Sequence, residues 1–192
     1  MSTLERGFKT WCERRAASLR EEMKLSEDAP LDVFDAAKHM HVKVIEPADV
    51  AGMAPEDLRQ LLKQDAGGWS AVTIELSQVS VVVLNPAHSK GRIASDLAHE
   101  LAHILLKHTG SLHYFSADES GMMLRTYDTK REEEANWLGW ALLLPRIALV
   151  RAREERTSIA DIATRFGVSE ALAKFRLQKT GVDVQLARRR RS

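Results

Sequence analysis

The 192 residues carry 28 lysines and arginines against 27 aspartates and glutamates, a formal net charge of +1, with 44% hydrophobic and 29% charged residues. This is the composition of a soluble chain long enough to bury one moderate domain, or a catalytic domain with a small appendage, and its near-zero charge excludes binding to nucleic acid or membrane by bulk charge alone. A single cysteine, Cys12, excludes an intramolecular disulfide and a cysteine-rich zinc site, while the start of the chain lacks a signal-peptide run and no stretch approaches the ~18 apolar residues of a membrane span, so a reducing, cytoplasmic setting without membrane partners is expected.

In chain order, residues 4–23 read as an amphipathic helix, with Leu4, Phe8, Trp11, Ala16, Leu19 and Met23 at helical spacing. After a turn at 26–30, residues 31–39 predict a second helix with Phe34, Ala37 and Met40 on its apolar side, and 42–45 a short strand. Residues 55–64 predict a short helix opened by Pro55, broken by Gly67 and Gly68. Two strands follow, 71–76 and 79–84, the second β-branched and ended by Asn85-Pro86. A loop through 89–92 leads to a helix at 93–108. Residues 109–130 are polar and irregular, 131–144 return to helix and stop at Pro145, 147–150 are apolar, and 151–156 are a charged run. Residues 158–180 read as two helices broken at Gly167, and 182–192 as a tail containing the basic cluster 188–191.

The 93–108 helix contains His99-Glu100-Leu101-Ala102-His103. Positions i and i+4 share a helix face, so both imidazoles point one way, as two ligands of one zinc ion must, and Glu100 is close enough to activate a water. A buried helix can also hold a histidine for packing. However, Ile93, Leu97, Ala98, Leu101, Ala102, Ile104, Leu105 and Leu106 make most of this helix apolar. Two histidines and a glutamate there are costly without partners, and a metal partners all three.

A catalytic zinc site needs a third protein ligand. His108, five residues past His103, falls off the ligand face and suits a helix C-terminus; His113 would need a loop turning back; His39, His41 and His88 read as surface residues. The run Glu132, Glu133, Glu134 opens the next helix, and at least two of the three are expected simply to face solvent and oppose the helix dipole. Glu132 and Asn136 are i and i+4, which suits a ligand followed by an amide that orients a zinc-bound histidine. Spacing alone does not separate Glu132 from Glu133.

Taken together, these residues resemble the ImmA/IrrE family of metallopeptidases. The likeness rests on a strand ending at Asn85-Pro86, an arginine-led helix from Arg92 to His103, Glu132-Glu-Glu-Ala-Asn136, and Leu142-Leu-Leu-Pro145. It covers residues 31–145 and, more loosely, the helical end. The resemblance implies Zn2+ held by His99, His103 and Glu132, with Glu100 as general base and Asn136 behind the ligands. Departures at Ala102, where glycine is common, at Leu138-Gly139-Trp140 in place of a usual Phe-Ala pair, and at Leu144, where methionine is common, affect packing and remove no ligand. It also implies an α+β fold: a small twisted sheet packed on a zincin-like helix and a second ligand helix, with a helix-turn-helix-like C-terminal end. The expected division is 1–150 for the peptidase-like part, 151–182 for the helical extension and 183–192 for the basic tail.

The function so implied is a zinc-dependent endopeptidase that cuts a regulatory protein, a separate helix-turn-helix repressor, in phage or stress control. Tyr114, His113, Tyr127 and Arg125 are candidates to stabilise the oxyanion. Two further readings stay open: a non-proteolytic zinc-containing regulator that binds DNA or a repressor, and a toxin-like component held by a partner. The 158–180 pair admits DNA contact through Lys174, Arg176 and Lys179, with weak phosphate contacts from the basic cluster, or plain packing on the core.

Overall fold

The computed structural model describes residues 4–76, 79–108 and 128–189. The N-terminal amphipathic pattern forms α1 (Phe8–Glu22), with Cys12, Ala16 and Leu19 fully buried. Asp32 caps α2 (Val33–His39), its side chain accepting from the amides of Phe34 and Asp35. The buried stripe of α2 is Val33, Ala36 and Ala37; Phe34, expected on the apolar side, lies off that stripe and is 42% exposed.

Strands β1 (Lys43–Ile45), β2 (Ala71–Glu75) and β3 (Ser80–Leu84) form one sheet in the order β1-β3-β2. β3 pairs parallel with β1, Val44 opposite Val82, and antiparallel with β2, Thr73 opposite Val82. The central, β-branched strand is buried from Val81 to Leu84, whereas β2 is an edge. Between β1 and β2 lies α3 (Pro55–Arg59), extended by a π-type turn at Gln60–Gln64. Asn85 pins the end of β3 to this region: its fully buried side chain donates to the carbonyls of Ala66 and Trp69 and accepts from the Ala87 amide.

Two helices follow, α4 (Lys90–Leu105), which packs on the sheet, and α5 (Thr129–Leu143), which packs on α4 and α1. α4 begins before the position expected from hydrophobic spacing because Ser89 accepts from the Arg92 amide and so makes 89–92 a capped first turn. Asp128 caps α5 in the same way. The chain ends in α6 (Arg146–Glu154), α7 (Ile159–Phe166), α8 (Glu170–Thr180) and α9 (Val182–Arg189). α6 joins the apolar stretch and the charged run into one helix that buries Ala148, Leu149 and Ala152 and exposes its charges. α9 stands where the sequence suggested a tail. Val182 and Leu186 anchor it in a second apolar cluster with Leu149, Ile162 and Leu177, and Arg153 ties it down through Asp183.

Buried arginines join these parts. Arg20, fully buried, donates to the carbonyls of Ala16, Ala29 and Leu142, so α1 satisfies the C-terminal end of α5. Arg176 of α8 does the same for Leu144 and pairs with Glu13 of α1 at 2.6 Å. Phe175 of α8 packs edge-on against Trp140 and Trp137 of α5, with ring centroids 4.8 and 6.4 Å apart. Among the described residues no helix is long and apolar enough to cross a membrane.

Cys12 sits under this brace, and burial, the dominant influence, pushes its thiol up to about 12. The thiolate is the reactive form. The native protein is therefore expected to resist maleimide at neutral pH and to label fully once denatured; stoichiometric native labelling by mass spectrometry would contradict this packing.

Candidate metal centre

α4 buries Leu97, Ala98, Leu101 and Ala102 on its inner side. The histidines beside that stripe face α5, which approaches unusually closely. A Cβ on Gly139 would lie 3.1 Å from the Ala98 carbonyl oxygen and 3.3 Å from the His99 Cα, so only glycine fits this crossing without displacement. The N-terminal half of α5 is thereby laid beside the two imidazoles.

There His99 Nε2 and His103 Nε2 are 3.0 Å apart. Glu132 spans them, with Oε2 at 3.3 Å from His99 Nε2 and Oε1 at 3.5 Å from His103 Nε2. Among the described residues, these three form the group of potential metal ligands whose donor atoms all lie within 4.8 Å of one another. The edges of a tetrahedron around an ion with bonds of about 2.0–2.2 Å are about 3.3–3.5 Å long. The Glu132–histidine separations match such edges and the 3.0 Å between the two nitrogens is slightly shorter, so with one Glu132 oxygen as ligand the three residues fit a tetrahedral metal ion and leave one corner for water or substrate.

Asn136, one turn after Glu132, lies 3.1 Å from His99, Oδ1 to Nδ1. A carboxamide oxygen only accepts, so His99 Nδ1 donates and Nε2 keeps its lone pair for a metal. Without a metal that nitrogen takes a proton readily. Burial is the largest single influence on His99 and opposes its charge, but the hydrogen bond it donates to Glu132 and the charges of Glu100 and Glu132 together outweigh it and raise its pKa above 6.5. In the metal-free protein, protonated His99 thus stabilises the fold below 6.5, a contribution lost as pH rises through the raised value. Metal must displace this proton. Affinity measured by chelator competition is expected to fall about tenfold per pH unit once pH drops below the raised His99 value. A flat profile from pH 8 to 6 would be inconsistent with proton competition at His99.

Glu100 is held by the edge strand: Thr73 Oγ1 donates a short hydrogen bond to Glu100 Oε2. Thr73 was not anticipated from the sequence. Its only signal there is a hydroxyl at an inward position of a strand whose neighbour across β3 is apolar.

Other side chains depart from their expected places. His108 and Glu134 are not surface groups: their side chains are 8% and 15% exposed, and Nε2 of His108 lies 3.2 Å from Glu134 Oε2. Burial, again the largest influence, holds His108 below the usual histidine pKa despite that carboxylate, which favours the neutral ring. His88, expected at the surface, is buried between Asp96 and the Ala66 carbonyl and fastens the approach to β2 onto α4. His39 is part-exposed and His41 exposed. The helix-turn-helix outline is present: Gly167 is left-handed with φ 63, and Ser169 caps α8. Arg176, one of its three candidate DNA contacts, is instead fully buried against Glu13, whereas Lys174 and Lys179 are exposed. His113, Tyr114, Arg125 and Tyr127 lie outside the described residues.

A model of the IrrE N-terminal-like domain, Peptidase M78, matches residues 61–178, more than half of the chain. The chain belongs to this metallopeptidase family. Comparison with curated proteins gives no match. The family match contains the whole candidate centre and runs through α7 into the last turns of α8, so in this M78 member α8, whose Phe175 packs on α5, lies inside the matched region, whereas α1 lies outside it.

Proposed function

We propose that this M78 family member is a zinc endopeptidase of the cytoplasm that cleaves a separate regulatory protein, a helix-turn-helix repressor. The observation that carries the reading is the convergence of His99 Nε2, His103 Nε2 and the Glu132 carboxylate, next to Glu100. The donor set, two imidazoles and a carboxylate, is that of zinc hydrolases with an open fourth position. Bound there, zinc supplies Lewis-acid chemistry, polarising a peptide carbonyl and making a water molecule acidic near neutral pH.

Within that site, Glu100 takes the proton of the attacking water and delivers it to the leaving amine as the C–N bond breaks. Thr73 restrains one carboxylate oxygen, so the base does not swing away from the ligand face. Among the described residues β2 is an edge strand, so Thr73 places the base beside a sheet edge. An extended substrate segment adding to β2 would bring its peptide groups past Glu100.

The test is incubation of the zinc-loaded protein with a helix-turn-helix repressor from the same source, with and without chelator. Cleavage that chelator abolishes and zinc restores, with about one zinc per chain, is the expected result. Absence of bound zinc after zinc addition ends the metal reading; tight binding of the repressor without cleavage favours the non-proteolytic regulator instead.

A further inference from the structure

The two candidate histidine ligands are supported differently. Behind His99 stands an amide, Asn136; behind His103 stands a second histidine backed by a carboxylate. That arrangement depends on how α4 ends. Lys107 adopts a left-handed conformation at φ 53, the Lys107 amide bonds the Ile104 carbonyl, and the His108 amide bonds the His103 carbonyl, each at 3.1 Å. This paired closure reverses the chain and lays the His108 ring over the turn below it. The two rings meet edge-on, with centroids 5.0 Å apart. His103 Nδ1 and His108 Nδ1 are 3.0 Å apart, and His108 Nε2 faces Glu134 at 3.2 Å.

Proton bookkeeping along this row has one solution for neutral rings. The Glu134 carboxylate only accepts, so His108 Nε2 carries a hydrogen and donates. The neutral His108 ring then has its lone pair on Nδ1, and His103 must donate to it from its own Nδ1. His103 Nε2 is left with a lone pair aimed at His99 and Glu132. Reversing either ring would set two lone pairs, or two N–H groups, against each other at 3.0 Å in a site with little water.

We propose that His108 and Glu134 are positioning residues that lock His103 in the tautomer and ring orientation a metal requires. The proposal rests on the metal reading of His99, His103 and Glu132. Glu134 acts only through His108, and His108 only through His103; neither touches substrate or metal.

The experiment compares zinc affinity, by competition with a chromophoric chelator, in the full-length protein and in His108→Ala, Glu134→Ala, the double variant and His108→Gln. Loss of an orienting partner costs about 10–100-fold in affinity, and that is expected for His108→Ala. Because the row is serial, the double variant should lose no more than His108→Ala alone, whereas independent packing defects would add. His108→Gln can still accept from His103 and donate to Glu134, so it should recover part of the loss. Nitrogen-15 NMR of the metal-free protein should show the His103 ring as the Nδ1–H tautomer, shifting to a mixture in His108→Ala. Wild-type affinity in His108→Ala, or an additive double variant, overturns the proposal while leaving the metal reading intact. Wild-type protein that binds no zinc overturns both.

Discussion

Glu100→Gln is expected to leave one metal ion per chain and to lower kcat by about 10²–10⁴-fold, the usual contribution of a general acid–base group. The ligands are untouched, because His99, His103 and Glu132 converge without Glu100. The fold should also be unaffected: a glutamine oxygen still accepts from Thr73, as Glu100 Oε2 does. What glutamine cannot do is take a proton at neutral pH. The loss should therefore fall on kcat, with KM little changed, which is the pattern of an interaction made in the transition state. Single-turnover cleavage of the repressor, measured with metal content on the same sample, decides it. Cleavage at the wild-type rate in a metal-loaded variant removes Glu100 from the mechanism.

Gly139→Val is expected to loosen the metal centre without touching any ligand. Alanine alone makes an ambiguous test. It would gain about 0.8–1 kcal/mol of helix propensity over glycine, against an overpacking cost of about 1–3 kcal/mol, with its Cβ 3.1 Å from the Ala98 oxygen and 3.2 Å from the Ala98 carbonyl carbon. Valine adds two methyls and recovers less propensity, so crowding wins. The obstruction is backbone on both sides and cannot rotate away. α5 must therefore move outward, and Glu132 and Asn136 with it. Metal affinity is expected to fall about tenfold or more, and the metal-free protein to lose about 2 kcal/mol or more in denaturant melts. Affinity equal to wild type would mean that the helix crossing does not set the ligand spacing.

Much of the candidate site is legible in the sequence because helices make spacing into geometry. The interval between His99 and His103, and that between Glu132 and Asn136, each name one helix face, and the fold lays the two faces together. The spacing could not choose among Glu132, Glu133 and Glu134, because all three open the same helix and look alike; the crossing at Gly139 is what brings Glu132 to the histidines. The same crossing explains why a glycine in a buried helix, read from the sequence only as a packing change, matters. His108 lies off the ligand face at the end of α4 as expected, but its contact with His103 was not legible, because it depends on the left-handed turn at Lys107, which no glycine announces. Thr73 lies 27 residues from Glu100 and meets it only through sheet packing. Arg176 reads as a surface cation until Glu13 and the Leu144 carbonyl, both remote in sequence, enclose it. α9 was hidden because Val182 and Leu186 gain their apolar partners only from α6, α7 and α8.

Glu132, Glu134 and Asn136 all ride on α5, a single rod seated on α4 at one glycine. The third ligand, the amide behind His99 and the carboxylate behind His108 are thus delivered together or withdrawn together. Partial assembly, in which a lone pair of histidines holds an ion weakly while the rest of the site waits, has no separate structural basis here. Metal uptake is therefore linked to the docking of α5: the ion binds the docked helix and stabilises that arrangement further.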